Sequence, residues 1–289
     1  MHCVLVQVGK APILVQAKHD KGMRVLMCPP VYYGIEYEIN PWMSLSRESN
    51  FVSAVEQWGA LYQILQQRLR VNVSLIEPRP GLPDMVFTAN AGLVWKNNFI
   101  VSNFRHHVRQ GEATYFENWF AARNYEIFHL AEQSYFEGEG DLLMCGDILF
   151  AGYPTRSSMV AHQRTAEIIE REIVSLRLTD DWFYHLDTCF CPLSSHEAIY
   201  YPAAFDTNAL RRLENHIGTL LPVTEEEARR FACNSIVVEK NVIMNEGCPR
   251  TRRLLESSGY CVFEIPLTEF IKAGGSAKCL VLKVPHCDN

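Results

Sequence analysis

The sequence lacks any apolar run close to the roughly 18–20 residues that a membrane-spanning helix needs. Its amino-terminal stretch has neither a basic start nor an uninterrupted apolar core, and so predicts no signal peptide. An excess of positive charge is also missing, because the formal net charge of the 289 residues is −6. We therefore expect neither a nucleic acid nor a membrane as partner, although a small cationic substrate needs only a few carboxylates.

Cysteine motifs are missing as well: the ten cysteines contain no Cys-x-x-Cys pair and no spacing typical of a zinc site. A chain of this length needs no disulfide framework, so free thiols in a reducing cytoplasm are the simplest expectation. Most of these cysteines are expected to be small core residues. A catalytic role for one of them has to be argued from its surroundings in the sequence.

What the sequence does contain is a repeat. Two apolar runs typical of a β-hairpin, a helix-like segment and another apolar run recur five times. The hairpins open at intervals of 43 to 50 residues, near Gly92, Asp141, Tyr184, Asn234 and Cys279. The fifth module is expected to be split between the termini, with AKCLVLKV paired to RVLMCP and completed by a helix over residues 47–70 and the strand VNVSLI. We predict one catalytic domain over residues 1–289, with residues 1–22 a peripheral amino-terminal segment.

Turn residues and periodicity predict the elements inside the modules. Hairpins are expected to turn at residues 96–98, 146–147 and 240–241. Helices are expected over residues 112–123, 157–173 and 206–216, and another after residue 249. The segments YEIFHL, residues 173–178 and YCVFEIP are expected to return as strands. The loops over residues 29–44 and 77–90 have a length that often carries function.

Two residues in this repeat suit nucleophilic and acid–base chemistry. Cys279 follows Gly274 and Gly275, which permit a tight turn before the thiol, although a buried core cysteine is the alternative. His185 lies in FYHLDTCF, where alternation along a predicted strand puts it on the same face as Asp187. A histidine beside a carboxylate suits proton transfer near neutral pH, and a core histidine is the alternative.

Acidic and amide side chains stand near other module openings. The stretch FEGEGD places Glu137, Glu139 and Asp141 among glycines, either to face a cationic substrate or as a solvated turn. Asn90 ends the loop PDMVFTAN and offers both a donor and an acceptor. Because these groups recur in register with the modules, we expect them to converge on a central axis.

Three further candidates are less specific. Arg109 and Arg156 are candidates to bind an anionic end of a substrate, and each could equally be a surface arginine. Asn40, in the loop IEYEINPWM, is a weaker candidate for substrate binding.

The motifs PDMVFTANAG, FEGEGD, YHLDTCF and GGSAKC together resemble the amidinotransferase and arginine deiminase superfamily, over about residues 24–284. The resemblance implies an α/β fold called the pentein, a five-bladed α/β propeller of five hairpin–helix–strand modules with pseudo-fivefold symmetry. Arginine deiminases have Phe-Thr-Arg-Asp where this chain has FTAN. With Asn90 in place of that aspartate, the chain is most similar to the arginine dihydrolases, which remove the guanidine group of arginine.

The resemblance also implies roles for the candidate residues. Cys279 is implied as the nucleophile that attacks the guanidinium carbon, and His185 as the general acid and base. Glu137 is implied as the acid beside the guanidinium, with the choice among Glu137, Glu139 and Asp141 left open. Substrate binding is implied for Asn90, Asp187, Arg109 and Arg156, and the residue pattern adds Asp141 and Asn40 as candidates for the same role.

The predicted function is hydrolysis of arginine to ornithine, carbon dioxide and ammonia through a covalent thiouronium intermediate on the cysteine. An arginine deiminase or a dimethylarginine dimethylaminohydrolase, which would give citrulline, is the nearest alternative, and an amidinotransferase a more distant one. A non-enzymatic binding protein with the same propeller is the alternative from another class. No metal and no organic cofactor is implied, because the thiol chemistry is self-sufficient. The partner is a small cationic guanidino compound, and whether the chain forms a homo-oligomer is left open.

Overall fold

Five three-stranded sheets make up the computed structural model, which describes residues 22–285. Residues 1–21 lie outside the described residues, and with them nearly all of the predicted amino-terminal segment. In every sheet an antiparallel pair is joined by a third strand that runs parallel to its neighbour after a helical crossover. This is the predicted five-bladed α/β propeller. Within residues 22–285 no helix is both long and apolar enough to cross a membrane.

The blades are numbered in chain order. Blade 1 consists of β1 (Arg24–Met27), α1 (Phe51–Gln63), β2 (Asn72–Leu75) and β15 (Leu282–Lys283). Blade 2 consists of β3 (Gly92–Trp95), β4 (Asn98–Val101), α2 (His107–Gln110), α3 (Glu112–Ala121) and β5 (Glu126–Phe128). Blade 3 consists of β6 (Leu142–Cys145), β7 (Ile148–Tyr153), α4 (Met159–Ile169) and β8 (Ile173–Arg177). Blade 4 consists of β9 (Phe190–Pro192), β10 (Glu197–Tyr200), α5 (Thr207–His216) and β11 (Thr219–Pro222). Blade 5 consists of α6 (Glu225–Ala228), β12 (Ile236–Val238), β13 (Asn241–Asn245), α7 (Pro249–Ser257), β14 (Cys261–Ile265) and α8 (Thr268–Ile271).

Blade 3 illustrates how the local sequence sets these elements. The turn at Gly146, which has a φ of 60°, reverses the chain between β6 and β7. Helix α4 begins where the Ser158 hydroxyl accepts a hydrogen bond from the backbone N–H of Ala161 at 3.2 Å. Strand β8 then returns parallel to β7, with Leu149 opposite Ile173. The predicted hairpin and returning strand of this module are confirmed, and α4 lies within the predicted helix over residues 157–173.

Blade 1 is assembled from both ends of the chain, as predicted. Strand β1 pairs antiparallel with β15, with Val25 opposite Lys283, and parallel with β2 on its other side. Helix α1 is shorter than the predicted 47–70, because Asn50 caps its start and the segment Ile64–Arg68 continues as a π-helix. The β1–β15 pair therefore closes the ring.

The apolar faces of the strands are buried between neighbouring blades and under the helices. In blade 2, Phe99 of β4 stacks on Phe120 of α3 with ring centroids 3.8 Å apart, and both side chains are fully buried. This packing leaves the loops that precede each hairpin as the segments nearest the centre. The site is built from those loops.

Two predictions about these loops are wrong. His185 and Asp187 do not lie on a strand: His185 has extended backbone, but a 3-10 turn follows at Leu186–Thr188, and β9 begins only at Phe190. Cys279 likewise lies in a 3-10 turn, Lys278–Leu280, and not at the start of a strand. Equivalent turns precede β3 at Thr88–Ala91 and β6 at Gly138–Gly140.

Candidate active site

The four 3-10 turns meet at the centre of the propeller, where each contacts at least one of the others. They bring together side chains that are at most 2% exposed: Asn90, Glu137, Asp141, His185, Asp187 and Cys279. The predicted convergence of these residues is therefore observed. Since each turn belongs to a different blade, four of the five blades contribute to the site.

His185 and Glu137 form the closest ionisable pair of the site. His185 Nε2 lies 2.8 Å from Glu137 Oε2, which also accepts a hydrogen bond from Arg156 at 3.1 Å. Burial alone would raise the pKa of Glu137, but Arg156 and the bond to His185 outweigh it and hold that pKa well below its usual range. An ionised carboxylate can only accept, so Nε2 carries the proton and Nδ1 has the free lone pair of a base.

Burial also keeps His185 neutral in the free protein. It lowers the pKa of the imidazole to about 4, although the hydrogen bond to Glu137 acts in the opposite direction. Gly140 lies against this ring: a Cβ added there would lie 3.2 Å from His185 Nδ1 and would collide with Asn90 Nδ2. The absence of a side chain at position 140 thus allows Asn90 and His185 to lie side by side.

Cys279 is in contact with a carboxylate and an amide. Its Sγ lies 3.3 Å from Asp187 Oδ2 and 3.1 Å from Asn234 Nδ2. Burial, and after it the Asp187 charge, raises the pKa of the Cys279 thiol. Burial also raises the pKa of Asp187 to about 7, against the opposing effect of Lys278. In the free protein the sulfur is therefore a thiol that can donate to Asp187.

Arg109 lies beside Asn90 and is not a surface arginine. Its guanidinium donates to Asn90 Oδ1 at 2.9 Å and binds both carboxylate oxygens of Glu112 at 2.8 and 2.9 Å. Asp84, also buried, lies 3.7 Å from the same guanidinium. Because a guanidinium can only donate, Oδ1 of Asn90 is fixed against Arg109, and its Nδ2 points toward Gly140.

Arg156 and Asn40 connect the loop over residues 29–44 to the site. Arg156 is 2% exposed, bonds Glu137 and the Ile39 carbonyl at 2.8 Å, and stacks over the Tyr184 ring at 4.5 Å. Asn40 donates to the Ala273 carbonyl at 3.0 Å, just before the glycines that precede Cys279. The loop singled out for its length therefore borders the site.

The three acids of FEGEGD have different surroundings. Glu137 is the one that contacts His185. Glu139 turns away and pairs with Lys278 at 2.8 Å. Asp141 accepts the Leu186 N–H at 3.2 Å and so supports the turn that carries His185. Burial and the charge of Glu137 raise the pKa of Asp141.

Several buried polar atoms of the site have no hydrogen-bond partner within residues 22–285, although such atoms are nearly always paired. They are Asn90 Nδ2, Asp141 Oδ2, His185 Nδ1 and Asp187 Oδ1. An N–H donor, two carboxylate acceptors and a basic nitrogen are thus available to a ligand that carries both donors and acceptors.

No role is predicted from the sequence for Asn234, Asp84, Glu112 or Lys278. Asn234 stands at the opening of a module, one period before Cys279, and that position is the sequence signal that identifies it. Glu112 has no comparable signal, because its role follows from its ion pair with Arg109, three residues earlier.

Comparison with known proteins agrees with this architecture. Residues 37–285 match the family described as N,N dimethylarginine dimethylhydrolase, eukaryotic. The N-terminal domain of ArgZ, an arginine dihydrolase from cyanobacteria solved as a Cys-to-Ser variant bound to substrate, superposes with a TM-score of 0.88 at 45% identity. That match covers 91% of this chain and 98% of the solved domain.

Two curated relatives are similar to this chain over most of its length. The bifunctional arginine dihydrolase/ornithine cyclodeaminase AgrE of Nostoc sp. is 46% identical over 91% of this chain, but the chain spans only 38% of its length. The N(G),N(G)-dimethylarginine dimethylaminohydrolase of Mycobacterium tuberculosis is 36% identical, over 90% of this chain and 85% of that protein.

The five-bladed ring and its central cysteine, histidine and carboxylates define a pentein of the guanidino-modifying superfamily, which confirms the resemblance seen in the motifs. Within that superfamily, the chain belongs to the N,N dimethylarginine dimethylhydrolase family.

Proposed function

We propose that this protein is a cysteine-dependent hydrolase of L-arginine that uses two water molecules to form ornithine, carbon dioxide and two molecules of ammonia. The observation that carries the proposal is the pair of buried contacts between Cys279 and Asp187 and between His185 and Glu137. The 46% identity to AgrE, whose name includes an arginine dihydrolase, supports the same reaction.

Binding of the substrate activates the nucleophile. The carboxylates of Asp187 and Glu137 hold the planar guanidinium by charge-assisted hydrogen bonds. A cation at this place offsets the negative charge of Asp187, which contributes to the raised pKa of Cys279, and so favours the thiolate. Arg109 and Arg156 remain our candidates for the carboxylate of the substrate, and contacts of Asn40 and Asp141 with substrate remain predictions.

The first round removes one ammonia. Cys279 transfers its proton to His185 and its sulfur bonds to the guanidinium carbon. His185 returns the proton to the departing amino group, the C–N bond breaks, and ammonia leaves a thiouronium on the sulfur. Water, deprotonated by His185, adds to that carbon, and the C–S bond breaks to give a ureido product. The ionised Glu137 stabilises the imidazolium that forms twice in this sequence.

The second round acts on that ureido group. The thiolate bonds to its carbon, a second ammonia leaves, and water hydrolyses the resulting thiocarbamate to a carbamate, which separates into carbon dioxide and ornithine. Asn90 suits this step because Arg109 occupies its Oδ1 and leaves an N–H donor on the side of His185. A guanidinium has no acceptor for that donor, whereas a neutral urea offers its oxygen.

The family match favours one second candidate: hydrolysis of dimethylarginine to citrulline. The same thiol chemistry applies, and the difference lies in the substrate and in the number of rounds. An aspartate at position 90 would suit a reaction that stops after one round. This chain has Asn90, and we therefore rank the dihydrolase reaction first.

The test is product analysis by NMR after incubation with L-arginine or with dimethylarginine. Ornithine with two ammonia per arginine supports the proposal, whereas citrulline with one ammonia identifies a deiminase. Turnover of dimethylarginine alone supports the second candidate. Cys279→Ser should remove the activity, and Cys191→Ser, which changes a buried thiol bonded to the Ser235 carbonyl, should retain it.

We also propose a reducing compartment such as the cytoplasm as the place of action. All eight cysteines within residues 22–285 are free thiols, including the nucleophile candidate. Oxidation of Cys279 would remove the thiolate on which the mechanism depends.

A further inference from the structure

Asn234 lies in the loop before β12, at the point where the other four blades place their 3-10 turns. We propose that Asn234 is a further catalytic residue, which fixes the Cys279 turn through its carbonyl oxygen and donates a hydrogen bond to the sulfur through its N–H. The inference rests on the proposed function, because it takes Cys279 as the nucleophile.

Both ends of this buried amide are used. Oδ1 accepts the backbone N–H groups of Ser276 and Cys279, each at 3.2 Å. Nδ2 donates to Cys279 Sγ and to the Asp187 carbonyl, each at 3.1 Å. One side chain from blade 5 therefore links the turn of the nucleophile to the turn of the carboxylate beside it.

These four contacts require an amide. Two acceptor positions and two N–H donors are present together only in an amide side chain. Aspartate would keep the acceptors and lose both donors, and leucine would lose all four contacts at a similar size. The side chain of Asn234 is fully buried, so water does not replace what either change removes.

The position of the N–H matters for the reactive state of the sulfur. In the thiol state Cys279 donates to Asp187 and accepts from Asn234. When the proton leaves, the sulfur can only accept, so the contact with Asp187 becomes repulsive and the one with Asn234 strengthens. Asn234 thus acts against Asp187 and favours the thiolate, in addition to aiming the sulfur.

Alkylation of Cys279 by iodoacetamide, followed by mass spectrometry of its peptide over a pH series, tests the inference without a substrate. We expect Asn234→Leu to raise the apparent pKa of Cys279 by about one to two units, which is the size of a hydrogen bond to a charged group, and Asn234→Asp to raise it further. The two variants together separate loss of the donor from the added charge of the aspartate, because only the second variant has that charge.

Asn245 supplies the matched control. It is buried in the same blade, donates to the Arg230 and Glu246 carbonyls and accepts the Leu267 N–H, but does not contact the site. Asn245→Leu and Asn245→Asp should therefore leave the pH profile of Cys279 unchanged, whatever they do to the thermal midpoint.

A native profile in Asn234→Leu would overturn the inference, and so would failure of both Asn234 variants to fold, which would make the residue structural. Failure of the proposed function is a separate result. If the native protein leaves arginine unchanged while alkylation still depends on Asn234, the substrate is wrong and the role of Asn234 is supported. If arginine is hydrolysed but the Asn234 variants have the native pH profile of Cys279 alkylation, the proposed function stands and this inference fails.

Discussion

Lys278 and Glu139 form a buried ion pair that joins two of the central turns, and its removal makes a quantitative prediction. The Nζ–Oε2 distance is 2.8 Å, and the side chains are 6% and 9% exposed. Glu139 also accepts the Lys283 N–H at 3.1 Å. Lys278→Met would leave the carboxylate buried without its cation, which costs about 3–5 kcal/mol of the free energy of unfolding in comparable cases.

Urea denaturation followed by circular dichroism measures this cost by linear extrapolation. Lys240→Met is the control, because Lys240 is 64% exposed and lies 3.9 Å from Glu197, so its loss should cost less than about 1 kcal/mol. Lys278→Met with Glu139→Met should recover most of the loss, since an apolar pair can replace a buried ion pair. A Lys278→Met cost as small as that of the control, or a double variant equal to the sum of its parts, would refute the reasoning.

Three further predictions concern the chemistry of the site. Asn90→Asp should stop the reaction at citrulline, because the carboxylate cannot donate to a ureido oxygen, and NMR that still finds only ornithine would contradict this. Gly140→Ala should reduce kcat by at least about tenfold, because the added Cβ collides with Asn90 Nδ2; a matched Gly34→Ala, with open space around it, should not. His185 should contribute to acid denaturation, because burial lowers its pKa from 6.5, the ordinary value expected in the unfolded chain, to about 4 in the folded protein. Between pH 6.5 and 4 the unfolded state therefore binds a proton that the folded state does not, and stability falls as the pH falls. His185→Gln should remove up to about 3 kcal/mol of this pH-dependent loss of stability. Urea titrations at several pH values test this, and the same dependence of the free energy of unfolding on pH in both proteins would exclude the effect.

The periodicity of the sequence is sufficient to predict the fold. The repeat predicts three-stranded modules and the pairing of the two termini, because strand pairing follows from alternating apolar residues and turn chemistry that are local. The prediction of a strand at His185 was wrong because it, too, rests on local alternation. Alternation over FYHLDTCF cannot distinguish a strand from an extended residue followed by a 3-10 turn, since either places apolar residues inward over so short a stretch.

The contacts of the site were less accessible to sequence reasoning. Which acid of FEGEGD faces His185 depends on the turn at Gly138, with its φ of 57°, which sends Glu137 and Glu139 in different directions. The contact between Asn234 and Cys279 joins residues 45 positions apart, and no local pattern specifies it. Sequence position predicted that these residues converge, and packing decided which atoms touch.

Ring closure and positioning of Cys279, the proposed nucleophile, are physically coupled in this fold. Cys279 lies three residues before the start of β15 at Leu282, and β15 is held to β1 by the pairs Val25–Lys283 and Leu26–Leu282. The turn that carries Asn90 is hydrogen-bonded to β1, because the Thr88 hydroxyl donates to the Leu26 carbonyl at 2.9 Å. Separation of β1 from β15 would therefore free the segment that carries Cys279 from the strand that supports the turn of Asn90. We therefore expect a chain that has not closed its ring to be inactive even when its other four blades are folded.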